Sequence, residues 1–321
     1  MTSSTAKDAL RESVEVASGG KQTVLFTAKG QPTHMNVIPA FNCEDLGPGF
    51  GTGLHPAFMV GGVAKSKIYI GTYQAVILNG EAVSLPGQDP AVSINFDQAK
   101  AACLAAGPGF HLMTNWEWAA IALWCIKNGY GQLHGNTDYG KSHLSADETG
   151  TISKQGRTLT GSGPATWRHD GTPFGIADLV GNVWEWNDGL KLMEGSVLMP
   201  SDNNFNLLEE AWPDTGVRID TADGIEISDT ITDYASADFA EVSTRDGYEP
   251  PVAMKQALLC PVVGQDVSGH YWADSTEDFE ALPFRGGDWC DVSFAGLAAL
   301  VLDDGRSRAG SVLGFRPAFI E

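Results

Sequence analysis

Positive charge is scarce in this chain. Lys and Arg supply 20 of 321 residues against 40 Asp and Glu, a net charge of -20. A field of that sign repels nucleic acid and anionic lipid headgroups, so neither is an expected partner. Long apolar runs are also missing. No stretch reaches the roughly eighteen residues a membrane-spanning helix needs, so no membrane insertion is expected. Cysteine is sparse and scattered (Cys43, Cys103, Cys125, Cys260, Cys290), with no CxxC pair, which argues against a disulfide framework. Cys103 and Cys125 sit among apolar neighbours and read as core thiols. The Gly-rich segment 47–53 is not closed by Lys-Ser/Thr and is no phosphate loop. The opening Met-Thr-Ser-Ser-Thr-Ala-Lys-Asp holds no apolar signal-peptide core, so synthesis in the cytoplasm is expected. No internal repeat is present.

What the chain does have is a composition for packing: 43% hydrophobic, 19% charged and nine tryptophans. Residues 1–20 are polar without strong periodicity and read as a flexible arm or attachment segment. Thr23-Val-Leu-Phe-Thr, Met35-Asn-Val-Ile-Pro and the alternating Lys67-Ile-Tyr-Ile-Gly-Thr-Tyr read as strands. Two helices are well signalled. Asn95 with Gln98 opens one that stops at Gly107-Pro108, and Thr114 with Glu117 opens a second, very apolar one ended by Asn128-Gly129. After residue 130 regular structure thins, and residues 190–280 read as an irregular acidic insertion. The organisation expected is an arm with short strands over 1–54 and one domain over 55–321.

The tail breaks the usual periodicities. Between Phe284-Arg-Gly-Gly-Asp-Trp and Gly314-Phe-Arg-Pro-Ala, ten residues follow neither a helical nor a strand period: Asp288, Cys290, Asp291, Phe294, Val301, Asp303, Asp304, Arg308, Gly310 and Val312. They mix acid, base, aromatic, thiol and glycine. Their neighbours Trp289, Ala295, Gly296, Ala299, Leu300, Leu302, Arg306 and Ser307 look like scaffold. A surface that must tolerate many sequences cannot use the same residues for folding, and such an alternation suits one built to differ between copies.

Three segments carry a family resemblance: His111-Leu-Met-Thr-Asn-Trp-Glu-Trp-Ala-Ala, Gly181-Asn-Val-Trp-Glu-Trp, and Phe284-Arg-Gly-Gly-Asp-Trp through Gly314-Phe-Arg-Pro-Ala. Together they resemble the C-type lectin fold in its formylglycine-generating-enzyme (sulfatase-modifying-factor) branch, and the tail resembles the variable proteins of diversity-generating retroelements, phage tropism determinants included. The resemblance implies an α+β fold, a small twisted antiparallel sheet with two helices and long irregular insertions. It implies a hypervariable region at 285–316 whose scrambled asparagine codons cannot yield Lys, Glu, Gln, Met or Trp. None of those five occurs among the ten positions, an outcome that ordinary composition gives roughly one time in ten. It further implies a non-catalytic receptor-binding protein for host attachment, binding a cell-surface protein or glycan, displayed as a homo-oligomer on a virion tail tip or a cell surface. Trp184, Trp186, Arg285, Trp289, Arg306 and Phe315 would then be scaffold.

The same branch contains enzymes. A formylglycine-generating oxidase needs paired cysteines in the tail, and Cys290 stands alone there; a sulfoxide synthase needs clustered histidines, and His34, His55, His111, His134, His143, His169 and His270 show no ligand spacing. His111 reads as a packing or hydrogen-bonding residue. His169-Asp170 lacks the serine elbow of a triad. No catalytic residue and no required cofactor is therefore expected. Relatives in the branch hold a structural calcium at the segment matching Asn182, Val183 and Glu185, so calcium there is a further possibility, with a local cap or salt bridge at Glu185 as the other reading.

Overall fold

A computed structural model describes residues 3–220, 225–228, 234–261, 264, 266–276 and 279–321. The class is α+β, with few helices and mostly antiparallel sheets, as expected. One five-stranded antiparallel sheet runs in the order Gln22–Phe26, Pro32–Pro39, Lys67–Gly71, Pro317–Phe319, Phe110–Leu112. The last strand of the chain thus lies between two early ones, and residues 22–39 belong to the same sheet as the C-terminus.

Both signalled helices form where their caps place them. Phe96–Ala105 starts at an Asn95/Gln98 capping box and Asn115–Lys127 at a Thr114/Glu117 box. The second helix is buried nearly all round, which its uniform apolarity requires. Trp116 donates its indole N–H to Pro200 O at 3.0 Å, and Trp118 donates to Leu297 O at 2.9 Å. Each ring is buried whole with its one polar atom satisfied.

Two expectations are corrected. Residues 3–18 form a helix, not a loose arm, tied to the first strand by Arg11 Nε donating to Val24 O at 3.1 Å and by Lys7 over the Phe26 ring. Much of its surface stays exposed, so no apolar stripe announces it. The segment 190–280 contains strands, not only irregular chain. A six-stranded sheet orders Ser243–Thr244, Glu226–Ser228, Asp214–Asp220, Ser196–Leu198, Lys191–Met193 and Glu280–Ala281, and Val217, Ile219, Ile225 and Ile227 join the main core. Among the described residues the strands form three larger sheets and two hairpins.

The third large sheet carries the tail. Its order is Tyr234–Asp238, His270–Asp274, Gly296–Leu302, Phe284–Gly286, Trp184–Trp186, Leu313–Phe315. Two of its pairings are parallel, His270–Asp274 with Gly296–Leu302 and Trp184–Trp186 with Leu313–Phe315. Gly296–Leu302 is buried at all seven positions, the continuous apolar run of a strand covered on both faces.

Candidate functional site

The motif residues build the frame. Trp186 is fully buried, edge-on to Phe96 and Phe284, with its indole N–H on Ile94 O at 3.1 Å. Phe315 is buried beside it in the same cluster. Arg285 is completely buried; Nε donates to Asn115 Oδ1 at 2.8 Å and Nη2 to Leu258 O at 3.1 Å, and burial lowers its pKa to about 9. Arg306 reaches three carboxylates, Glu280, Asp97 and Glu209, each at 2.9 Å. That clamp fixes the 303–312 loop to the helix Phe96–Ala105 and holds the guanidinium charged. Trp289 is only half-buried and packs on Gly156 and edge-on to Tyr139. Ser307, read as scaffold, is exposed.

The motif glycines are demanded by space. A Cβ on Gly287 would lie 2.4 Å from Ala295 Cβ, at a φ of +89°. On Gly286 it would meet Leu179 O at 2.6 Å, on Gly296 Ser268 O at 2.2 Å, and on Gly314 Ala91 O at 2.6 Å. Gly310, one of the ten irregular positions, differs: a Cβ there meets nothing within 4 Å and φ is not positive. Gly310→Asn is therefore expected to leave stability within about 0.5 kcal/mol. Gly287→Ala should unfold the protein at markedly lower denaturant, because neither the clash nor the left-handed backbone can relax cheaply. Equal midpoints for the two in urea melts would refute this division.

Four of the ten positions, Asp291, Phe294, Val301 and Val312, meet one run of aromatic rings. Phe294 is exposed and sits edge-on to Trp272 at 5.9 Å and tilted on His270 at 4.7 Å. Trp272 in turn meets Trp184 at 5.8 Å. Asp291 hydrogen-bonds Trp184, Val312 packs on the cluster containing Trp184, and Val301 lies opposite Trp272 across the sheet. Asp303 feels the charges of Asp304 and Asp274, and Arg308 reaches Asp304 at 3.5 Å. Cys290 and Arg308 are exposed; Asp291, Asp303, Asp304, Gly310 and Val312 are partly so. Trp272 and His270 were missed in the sequence because their partners Trp184, Phe294 and Val301 lie more than twenty positions away on either side; the alternation His270-Tyr-Trp-Ala-Asp was the available signal.

Two positions do not fit a wholly exposed set. Val301 is 7% exposed, because it lies in the central strand between Phe284 and Trp272. Asp288 is 5% exposed and shapes a turn: Oδ1 accepts from Cys290 N at 2.7 Å, while its own N–H donates to Asp291 Oδ2 at 2.7 Å. Asparagine could accept the same bonds, so this turn tolerates either residue.

Burial and the neighbouring Asp288 charge push Asp291 up to about 7. Burial, then Asp304 and Asp274, push Asp303 up to about 6. A carboxyl raised in the folded state gives its full stability below its ordinary value and loses it as pH rises through the folded value. The variant Asp291→Asn with Asp303→Asn is therefore expected to melt higher than the unaltered protein at pH 8. That gap should shrink as pH falls toward 4, and a pH-independent gap would contradict it.

His111 and His169 are held by local contacts. Partial desolvation, with the Asp288 and Asp291 carboxylates beside it, pushes the exposed Cys290 thiol up to about 12, which disfavours the thiolate. The other four cysteines are buried and free. His111 stacks on Phe205 at 3.8 Å, with Nε2 at 2.9 Å from Glu117 and Nδ1 at 3.0 Å from Gly109 O. Burial opposes its charge, but Glu117 outweighs it and the pKa rises. His169 Nδ1 accepts from Ile176 N at 2.7 Å and burial lowers its pKa to about 4, while Asp170 pairs with Lys21 at 2.7 Å. Among the described residues no group of three or more His, Cys, Asp or Glu is arranged to hold a metal.

No protein-family model matches the chain, and no curated protein matches it. It is similar to the solved structure of PvdO from Pseudomonas aeruginosa at 16% identity, covering 93% of this chain and 98% of that one, TM-score 0.39. It is similar to Treponema denticola variable protein 1 at 14% identity, covering 93% and 98%, TM-score 0.38. A Major Tropism Determinant P3c variant aligns at 12% identity over 89% of this chain and 62% of that one, TM-score 0.34.

Proposed function

We propose that the chain is a non-catalytic binding protein that presents a diversified C-terminal face to a cell-surface protein or glycan. The observation that carries this reading is that Asp291, Phe294, Val301 and Val312 meet the Trp184–Trp272–Phe294 rings, with Phe294 exposed and Trp184 anchored in a frame of crowded glycines and buried motif aromatics. Aromatic rings give contact area at little entropic cost, and the surrounding polar positions can change the partner without changing the core. The tail's resemblance to retroelement variable proteins supports host attachment, from several copies on a phage particle or a cell surface. Repeated copies turn weak single-site contacts into useful avidity, which a randomised surface requires.

The test is binding of the purified protein to a panel of bacterial cells, as monomer and as oligomer. The oligomer should bind far more tightly, and replacing Phe294, Asp303 and Arg308 together should change which cells are bound. Equal binding by both forms, or oxidation of a cysteine peptide in the presence of copper, would assign the chain to the enzyme branch of the fold instead.

A further inference from the structure

The calcium implied for the segment around Asn182, Val183 and Glu185 can be tested against the atoms that surround it. Gln74 is fully buried there. Its Nε2 lies 3.0 Å from Val183 O, 3.0 Å from Glu185 Oε1, 3.1 Å from Asp178 O and 3.4 Å from Gly181 O. All four are acceptors. On its other side Gln74 Oε1 accepts from Asn182 Nδ2 at 2.8 Å, so the orientation of the amide follows from its partners.

Calcium takes six to eight oxygens at about 2.3–2.6 Å. Here the oxygens converge on a nitrogen at hydrogen-bond distance. Asn182 Oδ1 instead accepts from Asn136 Nδ2 at 3.1 Å and Thr158 N at 2.8 Å. Charge gives the same answer. Glu185 is the carboxylate of the cage, and buried Arg316 already engages both its oxygens, at 2.6 and 2.8 Å. A divalent ion would stand beside that buried guanidinium, which already neutralises Glu185. Asn182, Val183 and Glu185 therefore do not fit calcium while Gln74 is in place.

We infer that Gln74 is a built-in replacement for a cation in this oxygen cage. Its amide N–H groups point partial positive charge at the carbonyls of 178, 181 and 183 and at Glu185. The cage braces the tail, since Gly181 N donates to Gly286 O at 3.1 Å and Glu185 pairs with both Arg285 and Gly314. The binding face is thus organised without a divalent ion. This inference does not rest on what the face binds.

The experiment is thermal melting and bound-metal analysis of the full chain in millimolar calcium and in chelator. The unaltered protein should melt at the same temperature in both and carry no stoichiometric calcium. Gln74→Glu sets a carboxylate among carbonyls; it should melt lower in chelator, recover with calcium and retain about one ion per chain. A calcium-dependent rise of more than about 2 °C in the unaltered protein, or calcium retained by it through dialysis, overturns the inference. So does a folded Gln74→Glu variant whose melting ignores calcium. The arm with the unaltered protein decides the matter even where the variant does not fold.

Discussion

Arg316→Met is expected to destabilise the protein by about 3–5 kcal/mol, the usual cost of removing one partner from a buried ion pair. Arg316 is wholly buried and binds Glu185 through Nε and Nη2, Gly71 O at 2.8 Å and Ala177 O at 2.9 Å. Methionine fills part of the volume but leaves the Glu185 carboxylate in the core without its counter-charge. The early sheet, the 177–178 segment and the motif strand Trp184–Trp186 all lose a shared donor. Denaturant unfolding measures the loss. A double-mutant cycle with Glu185→Gln separates it from simple truncation, because the double variant should cost clearly less than the sum of the singles. Additive losses would mean that the pair is not the energetic unit described.

Trp186→Ala is expected to cost about 3–5 kcal/mol, the range for a large buried aromatic cut to a methyl. The ring is fully buried between Phe96 and Phe284, and its loss also strips Ile94 O of its donor. Trp289→Ala should cost clearly less, since that ring is half-exposed and its indole nitrogen makes no hydrogen bond. Equal losses for the two tryptophans in urea melts would contradict the assignment of Trp186 to the core and Trp289 to its edge.

Local chemistry was the legible part of this fold. The capping boxes at Asn95 and Thr114 placed both central helices, because a cap is written within four residues of chain. The motif aromatics and crowded glycines announced the frame of the tail for a similar reason: each meets a steric demand its neighbours share. Long-range pairing was not legible. Val301 looked like a surface position until Trp272, nearly thirty residues earlier in the chain, proved to cover it across the sheet. The strands of 190–280 were hidden because each is short and acidic residues interrupt them. Gln74 gave no signal at all; its partners lie 104 to 111 positions away, and a lone buried amide has no periodicity to display.

The central claim is that the face and the frame are separable. It is tested most directly by one variant that replaces Cys290, Phe294, Asp303, Arg308 and Gly310 together, compared with the unaltered protein in both thermal melting and cell binding. Exposed substitutions usually shift stability by about half a kcal/mol or less each, so the melting temperature should move by only a few degrees while the pattern of cells bound changes. Collapse of the fold, or an unchanged binding pattern in a variant that melts normally, would contradict the account.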